Sequence, residues 1–212
     1  MTPIKTKYAL LHVADRTGIT EFAYALVELG FKLVASGGTA AALRQAELEV
    51  LDAREPADDA AGPLGLLHPT IVSGVTADRN NPAETGALDR AGGLPFDLVV
   101  VNLYPLSQLI DDAKLSQAEV LAYIDLASSA LLRAAAVNFR NVICVCDPED
   151  YQPVLDCLRQ YDRVTTDRRQ TLAAKAFHYC AYYDTTIAQF LGGKWDKLPD
   201  ELVIGLKKTA EM

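Results

Sequence analysis

Residues 31–45 read FKLVASGGTAAALRQ: a short apolar run, a turn holding two glycines, then a stretch of strong helix formers. An apolar run of five residues is long enough for a buried strand. Alanine, leucine, arginine and glutamine at 40–45 favour helix. The turn between them, Ser36-Gly37-Gly38-Thr39, therefore joins the carboxyl end of a strand to the amino end of a helix. Two readings are open for it. Glycines let backbone N–H groups approach an anion, the helix start adds partial positive charge, and Ser36 and Thr39 add hydroxyl donors. Equally, the segment is a tight turn with Thr39 as the helix N-cap.

Outward from this turn the same alternation continues. Residues 8–13 (YALLHV) form a preceding apolar run, and Ile19, Phe22, Ala23, Leu26, Val27 and Leu29 recur with helical spacing up to Gly30, a glycine placed to end a helix. Residues 49–53 give a third strand. Strand-helix-strand-helix-strand implies crossover connections and a parallel sheet. Residues 97–103 (DLVVVNL) are the most apolar strand, continuous enough to lie mid-sheet with both faces covered. A helix is expected over 83–91, another from Asp125 to about Val137, a strand over 141–146, a helix from Asp147-Pro148 to about Tyr161, and a long helix from Asp167 to Gly192-Gly193. Residues 54–82 hold Pro56, Pro63, Pro69 and Pro82 and read as one long loop. The fold class is α/β, a parallel sheet between helix layers with additional C-terminal helices. Residues 1–193 read as one domain and 194–212 as a tail or linker.

Composition narrows the function classes. Half of the 212 residues are hydrophobic, 23% are charged, and the formal net charge is −8. No Lys/Arg cluster is longer than the pairs Arg168-Arg169 and Lys207-Lys208, which is not the basic stripe of a nucleic-acid binder. No unbroken apolar run approaches the roughly 18 residues of a membrane span, and no signal-peptide core opens the chain, so a cytoplasmic protein with neither nucleic acid nor membrane as partner is expected. An anionic ligand would have to be held by a local site against an unfavourable overall field. The four cysteines form no C-x-x-C pair. Cys144 and Cys146 share a strand face as small apolar residues, and three scattered histidines do not suggest zinc.

Several further residues carry candidate chemistry, each with a plainer alternative. Residues 102–105 (NLYP) end the strongest strand at Pro105, so Asn102 and Tyr104 emerge at the same sheet edge as the turn. Tyr104 is either a site phenol or a buried tyrosine with a satisfied hydroxyl. Asp125 sits at a helix start, where an N-cap is the common role. Arg133 either reaches solvent from its helix or points into a site. His68 lies in the long loop.

Eight segments, in order along the chain, resemble the inosine monophosphate cyclohydrolase domain of the bifunctional purine-biosynthesis enzyme: 12–18 (HVADRTG), 35–43 (ASGGTAAAL), 67–69 (LHP), 102–105, 124–125 (ID), 131–138 (LLRAAAVN), 146–151 (CDPEDY) and 172–190. The resemblance implies a methylglyoxal-synthase-like fold and a homodimer. It implies a role in purine biosynthesis, with a purine ribotide as ligand: the carboxamide nitrogen of formamido-imidazole carboxamide ribotide attacks its own formyl carbon, and water leaves. No metal or redox cofactor is required by that chemistry, so none is expected. By resemblance Ser36, Gly37, Gly38 and Thr39 hold the phosphate, helped by Arg16 where the family has lysine. Asn102, Tyr104 and Asp125 face the base and the reacting groups. The sequence ends where the family continues into its formyltransferase half, so a separate formyltransferase is the expected partner.

The sequence also departs from the family pattern. The family loop G-R-V-K-T-L-H-P is here 62–69 (GPLGLLHP), placing Pro63, Gly65 and Leu66 where the family has arginine, lysine and threonine. Val137 stands where R-A-A-A-K-N carries a second active-site lysine. I-D-I-G-G has become 124–128 (IDLAS), giving side chains to two glycine positions. Arg133, one turn before Val137, is the expected substitute cation, and Ser128 or Ser129 would supply new hydroxyl donors. Binding of a purine ribotide by a regulatory or structural subunit, without turnover, is the alternative to an altered cyclohydrolase.

Overall fold

The computed structural model describes residues 6–53, 65–110, 115–193 and 200–207. Five strands, β1 (Lys7–Val13), β2 (Phe31–Ala35), β3 (Val50–Asp52), β4 (Phe96–Asn102) and β5 (Ile143–Val145), form one sheet in the order β3-β2-β1-β4-β5. Every pairing is parallel: Leu11 lies opposite Ala35, Val13 opposite Asn102, and Val99 opposite Cys144. The chain winds outward from β1 through β2 to β3, then returns to the other side of β1 as β4. The strand order thus reverses between β1 and β4, and the crevice outside the carboxyl ends of such a pair is where α/β sheets bind ligands.

The apolar runs do what their length implies. Leu10, Leu11, Leu98, Val99 and Val101 are fully buried, and Val100 nearly so, because helices cover both faces. Helix α1 (Ile19–Glu28) buries Ile19, Phe22, Ala23, Ala25 and Leu26. Gly30, with φ +81°, takes the left-handed conformation that ends it. Helix α2 (Gly37–Gln45) buries Thr39, Ala40 and Leu43. Helix α7 (Leu126–Val137) packs its alanine- and leucine-rich face on β4, β5 and the long helix α9 (Thr166–Gly192). Cys144 and Cys146 are buried free thiols, as their spacing implied.

The expected long loop is only partly a loop. Residues 69–76 form helix α3 (Pro69–Thr76). Pro69 does not break it, because it occupies the first helical position, where no N–H is needed. His68 is its N-cap: Nδ1 contacts the Thr70 hydroxyl at 2.7 Å and the side chain accepts from the Thr70 N–H. Residues 54–64 of that expected loop, Pro63 included, lie outside the described residues. Helix α4 (Pro82–Arg90) follows, then α5 (Leu106–Ile110) and α6 (Gln117–Ala122), the last opened by the Ser116–Glu119 capping box. Asp147 caps a 3₁₀ turn at Pro148–Asp150 before α8 (Tyr151–Tyr161) begins.

Measured by mean hydropathy, 1.6, residues Gln117–Val137 are long and apolar enough to cross a bilayer. In the fold they form two helices broken at 123–125, and the apolarity of α7 is that of a core helix. Of the expected tail, 200–207 carry no helix or strand. Gly205 lies against Tyr182 and Thr185 of α9.

Candidate functional site

A cavity of about 390 Å³ opens at the carboxyl ends of the central strands, within the ~300–1,000 Å³ range of small-molecule sites. Its walls come from the end of β1 (His12, Val13, Ala14), the start of the α2 turn (Ser36), Gly65 and Leu66, Tyr104 after β4, and residues 122–128 leading into α7. Thus Ser36, Tyr104, Asp125 and Ser128, separated by up to 92 positions in sequence, meet in one place beside the strand-order reversal.

The α2 turn has the form of an anion cradle. Ser36 is extended (φ −137°, ψ 163°) and its side chain makes no capping bond. Gly37 has φ +57°, which side-chain-bearing residues rarely adopt, so glycine is required there. A left-handed residue followed by a helical one points successive N–H groups the same way and forms a concave anion nest. The first-turn N–H groups have no partner within their helix. Arg16 reaches the same turn, with Nη1 3.4 Å from the Gly38 carbonyl.

Three expected roles change. Thr39 is neither the N-cap, which is Ser36, nor a hydroxyl donor to a ligand. Its Oγ1 accepts from the Val13 N–H at 2.9 Å and donates to the Val13 carbonyl at 3.1 Å, filling the ladder position that β2, ending at Ala35, leaves empty at the tip of β1. What Thr39 offers an anion is its backbone N–H. Asn102 does not face the cavity. Its Oδ1 accepts from the N–H groups of Ala14 and Asp15 at 2.7 and 2.8 Å, and its Nδ2 donates to the Asp15 carbonyl at 2.9 Å. It is a staple that shapes the β1–α1 loop, and with 4% of its surface exposed it has little to offer a ligand. Arg133 is not a substitute cation for the cavity, because its guanidinium pairs with Asp184 on α9, across the α7–α9 seam. Val137, 72% exposed at the end of α7, is likewise outside the lining.

Tyr104 and Asp125 are positioned by a device the sequence did not announce. Two tyrosines one turn apart on α9 hold the backbone on both sides of the cavity. Tyr179 accepts from the Leu103 N–H at 2.9 Å and donates to the Leu103 carbonyl at 3.2 Å. Tyr183 accepts from the Asp125 N–H at 2.9 Å. Burial pushes the Tyr179 phenol up to about 12, so it stays a neutral donor and acceptor. Asp125 Oδ1 caps α7 from the Ser128 N–H at 2.9 Å, the N-cap role its position implied. Tyr104 stacks obliquely on Tyr123, centroids 5.2 Å apart, and its hydroxyl has no hydrogen bond among the described residues. The Ser128 hydroxyl is fully buried and also unpartnered.

The residue that sequence reasoning missed is His12. It lines the cavity with Nδ1 2.9 Å from Ser36 Oγ. Its signal was visible: residue 12 is the one polar side chain in the apolar run 8–13 other than its leading tyrosine. Among the described residues no cluster of histidine, cysteine, aspartate or glutamate could hold a metal ion.

Two family models match the chain: the MGS-like domain over residues 18–127, and the AICARFT/IMPCHase bienzyme over 135–212. Curated relatives named bifunctional purine biosynthesis protein PurH include that of Lactiplantibacillus plantarum, 41% identical over 96% of this chain and 40% of the relative. That of Chloroflexus aurantiacus is 44% identical over 94% of this chain and 39% of the relative. The chain therefore spans about two fifths of the length of these relatives. Among solved structures, that of ForH superposes with a TM-score of 0.77 at 29% identity, covering 89% of this chain and 100% of that one.

Proposed function

Because the chain belongs to the MGS-like domain family, we propose that its cavity takes a purine ribotide and closes the purine ring as an inosine monophosphate cyclohydrolase does. The observation that carries the reading is the convergence of the Ser36 turn with Tyr104 and Asp125 in one cavity at the strand-order reversal. The PurH relatives, named for purine biosynthesis, support the substrate class.

In this reading the 37–39 N–H groups and Ser36 hold the 5′-phosphate, with Arg16 at the edge. The base lies toward Tyr104, Tyr123 and the 124–128 segment. The carboxamide nitrogen attacks the formyl carbon, forming the N–C bond while its proton passes to the formyl oxygen. The C–O bond then breaks as the formamido nitrogen gives up its proton and forms the ring C=N bond, and the oxygen leaves as water carrying that second proton. Folding the two groups together removes the entropic cost of closure. The Tyr104 phenol can donate to the developing formyl oxyanion. Asp125, with one carboxylate oxygen engaged as cap, can take a proton from the nitrogen with the other. A homodimer in the cytoplasm, supplied by a formyltransferase, completes the proposal. The exposed apolar Leu126 and Val137 on α7 favour an associating surface there.

A second reading, binding without turnover, is favoured by one observation: no lysine or arginine is among the described residues lining the cavity, and Gly65 contributes no side chain. One experiment separates them. The purified protein is mixed with the formamido ribotide, and ring closure is followed spectroscopically beside calorimetric binding of inosine monophosphate. Turnover lost in Tyr104→Phe and Asp125→Asn, by roughly 10²-fold or more for the oxyanion donor, supports the enzyme. Binding with closure no faster than the uncatalysed rate supports the second reading. Absence of both overturns each.

A further inference from the structure

We propose that His12 is the anion-positioning residue of this cavity: as an imidazolium it turns the Ser36 hydroxyl toward the ligand's phosphate and adds a pH-dependent positive charge to the fixed one of Arg16 at that end of the site. The inference rests on the reading of the Ser36 turn as a phosphate site.

The cavity poses a charge problem. Its described lining holds one carboxylate, Asp125, and no lysine or arginine, in a chain of net charge −8. Arg16 brings its charge only to the outer edge of the turn, at the Gly38 carbonyl, and within the lining His12 is the one residue among those described that can become cationic beside a phosphate dianion. A second, separate sign that the cavity takes a polar ligand is the buried, unpartnered Ser128 hydroxyl on its wall.

The His12–Ser36 contact gives the charge a mechanism. A serine hydroxyl has one proton to donate. When the ring is neutral with Nδ1 as acceptor, Ser36 gives that proton to His12 across the 2.9 Å contact. When the ring is protonated, Nδ1–H donates to Ser36 Oγ instead, and the hydroxyl proton is released to the phosphate. His12 therefore acts through Ser36, at the residue that opens α2 and the N–H nest. Among the described residues, the other titratable or charged groups near this region are Asp125, Tyr104 and Tyr123 in the lining, Asp15 and Arg16 on the β1–α1 loop, and Asp52 with Arg44 at the end of β3 and on α2. Asp15 is engaged by the Thr17 hydroxyl and N–H, which hold its carboxyl below the usual range, so it does not titrate near neutrality.

Linkage sets the sign. A ligand that prefers the imidazolium raises the His12 pKa on binding. Its added affinity is complete below the His12 pKa of the free protein and is lost as pH rises through the higher value of the complex. The test measures inosine monophosphate affinity from pH 5.5 to 8.5 for the wild type and His12→Gln. The ratio of the two cancels the ligand's own ionisation. It is expected to be roughly tenfold at pH 6, the size of a charge-assisted bond, falling to within about twofold at pH 8.5. A ratio that does not change with pH overturns the proposal. Should H12Q fail to fold, the wild-type imidazole resonances decide. Inosine monophosphate is expected to raise the titration midpoint of His12 and leave those of His68 and His178 in place, and an unmoved His12 midpoint overturns the proposal. Wild-type protein that binds no inosine monophosphate at millimolar concentration overturns the phosphate site itself, a different outcome from binding without the pH signature.

Discussion

Ser128 shows how a single side chain can oppose stability. Its hydroxyl is fully buried without a partner, and an unsatisfied buried polar group costs about 1–3 kcal/mol. Ser128→Ala keeps the helix and removes the orphan, so it is expected to raise stability by about 1 kcal/mol in urea unfolding. A loss of stability would show that the hydroxyl has a partner in solution. Arg133 gives the complementary test. Its pairing with the half-exposed Asp184 is a surface bridge, worth at most about 1 kcal/mol. Arg133→Gln is expected to lower stability by no more than that and to leave inosine monophosphate affinity unchanged, which calorimetry would check. At this scale the sequence was a good guide to residue type and a poor one to direction. Asp125 as cap and the Ser36 turn were legible because capping and glycine conformations are local. Asn102, Thr39 and Arg133 were not, because their partners lie 26 to 88 positions away and no spacing announces them.

The elements followed their patterns wherever burial dictated them. The strands 8–13, 31–35 and 97–103 were legible within a residue or two because continuous apolar runs have no other comfortable place in a two-sided sheet. Helix α3 was missed because its proline was taken as a break rather than a start. Its packing is tight: a Cβ on Gly74 would lie 2.1 Å from the Leu94 carbonyl and 3.1 Å from the Phe96 ring. A backbone oxygen cannot turn aside as a side chain can, so Gly74→Ala must push α3 off β4. The expected cost is at least about 2 kcal/mol, read as a lower urea midpoint. An unchanged midpoint would mean that α3 does not rest on β4 as described.

For the molecule as a whole, pH sets the range in which these layers stay together. At the end of β5, Lys175 of α9 bridges Asp147 and Asp150 at 2.8 and 2.6 Å. Burial works against the charge on Asp147, but the Lys175 and Glu149 hydrogen bonds and the ammonium charge outweigh it and hold the carboxyl below its usual range. That contribution is present above the unfolded value near 3.9 and is lost as pH falls through the lower folded one. On the alkaline side, burial pushes the Cys144 and Cys146 thiols up to about 12. The unfolded chain ionises its thiols from about pH 8.5, so stability falls above that point by about 1.4 kcal/mol per pH unit for each. The melting midpoint is expected to stay flat between roughly pH 5 and 8 and to drop above 8.5, with a shallower drop in Cys146→Ala. A midpoint that is level to pH 10 would refute it.

The tyrosine pair on α9 has a consequence in time. Every described residue that lines the cavity lies between 12 and 128, but the hydroxyls that set its walls belong to Tyr179 and Tyr183. A ribosome releases the chain amino end first. The sheet can therefore assemble around β1, β2 and β4 while the cavity still lacks its two struts. Docking of the last helix is the event that turns a folded scaffold into a shaped site, so a nascent chain halted before residue 179 should be compact yet unable to retain the ligand.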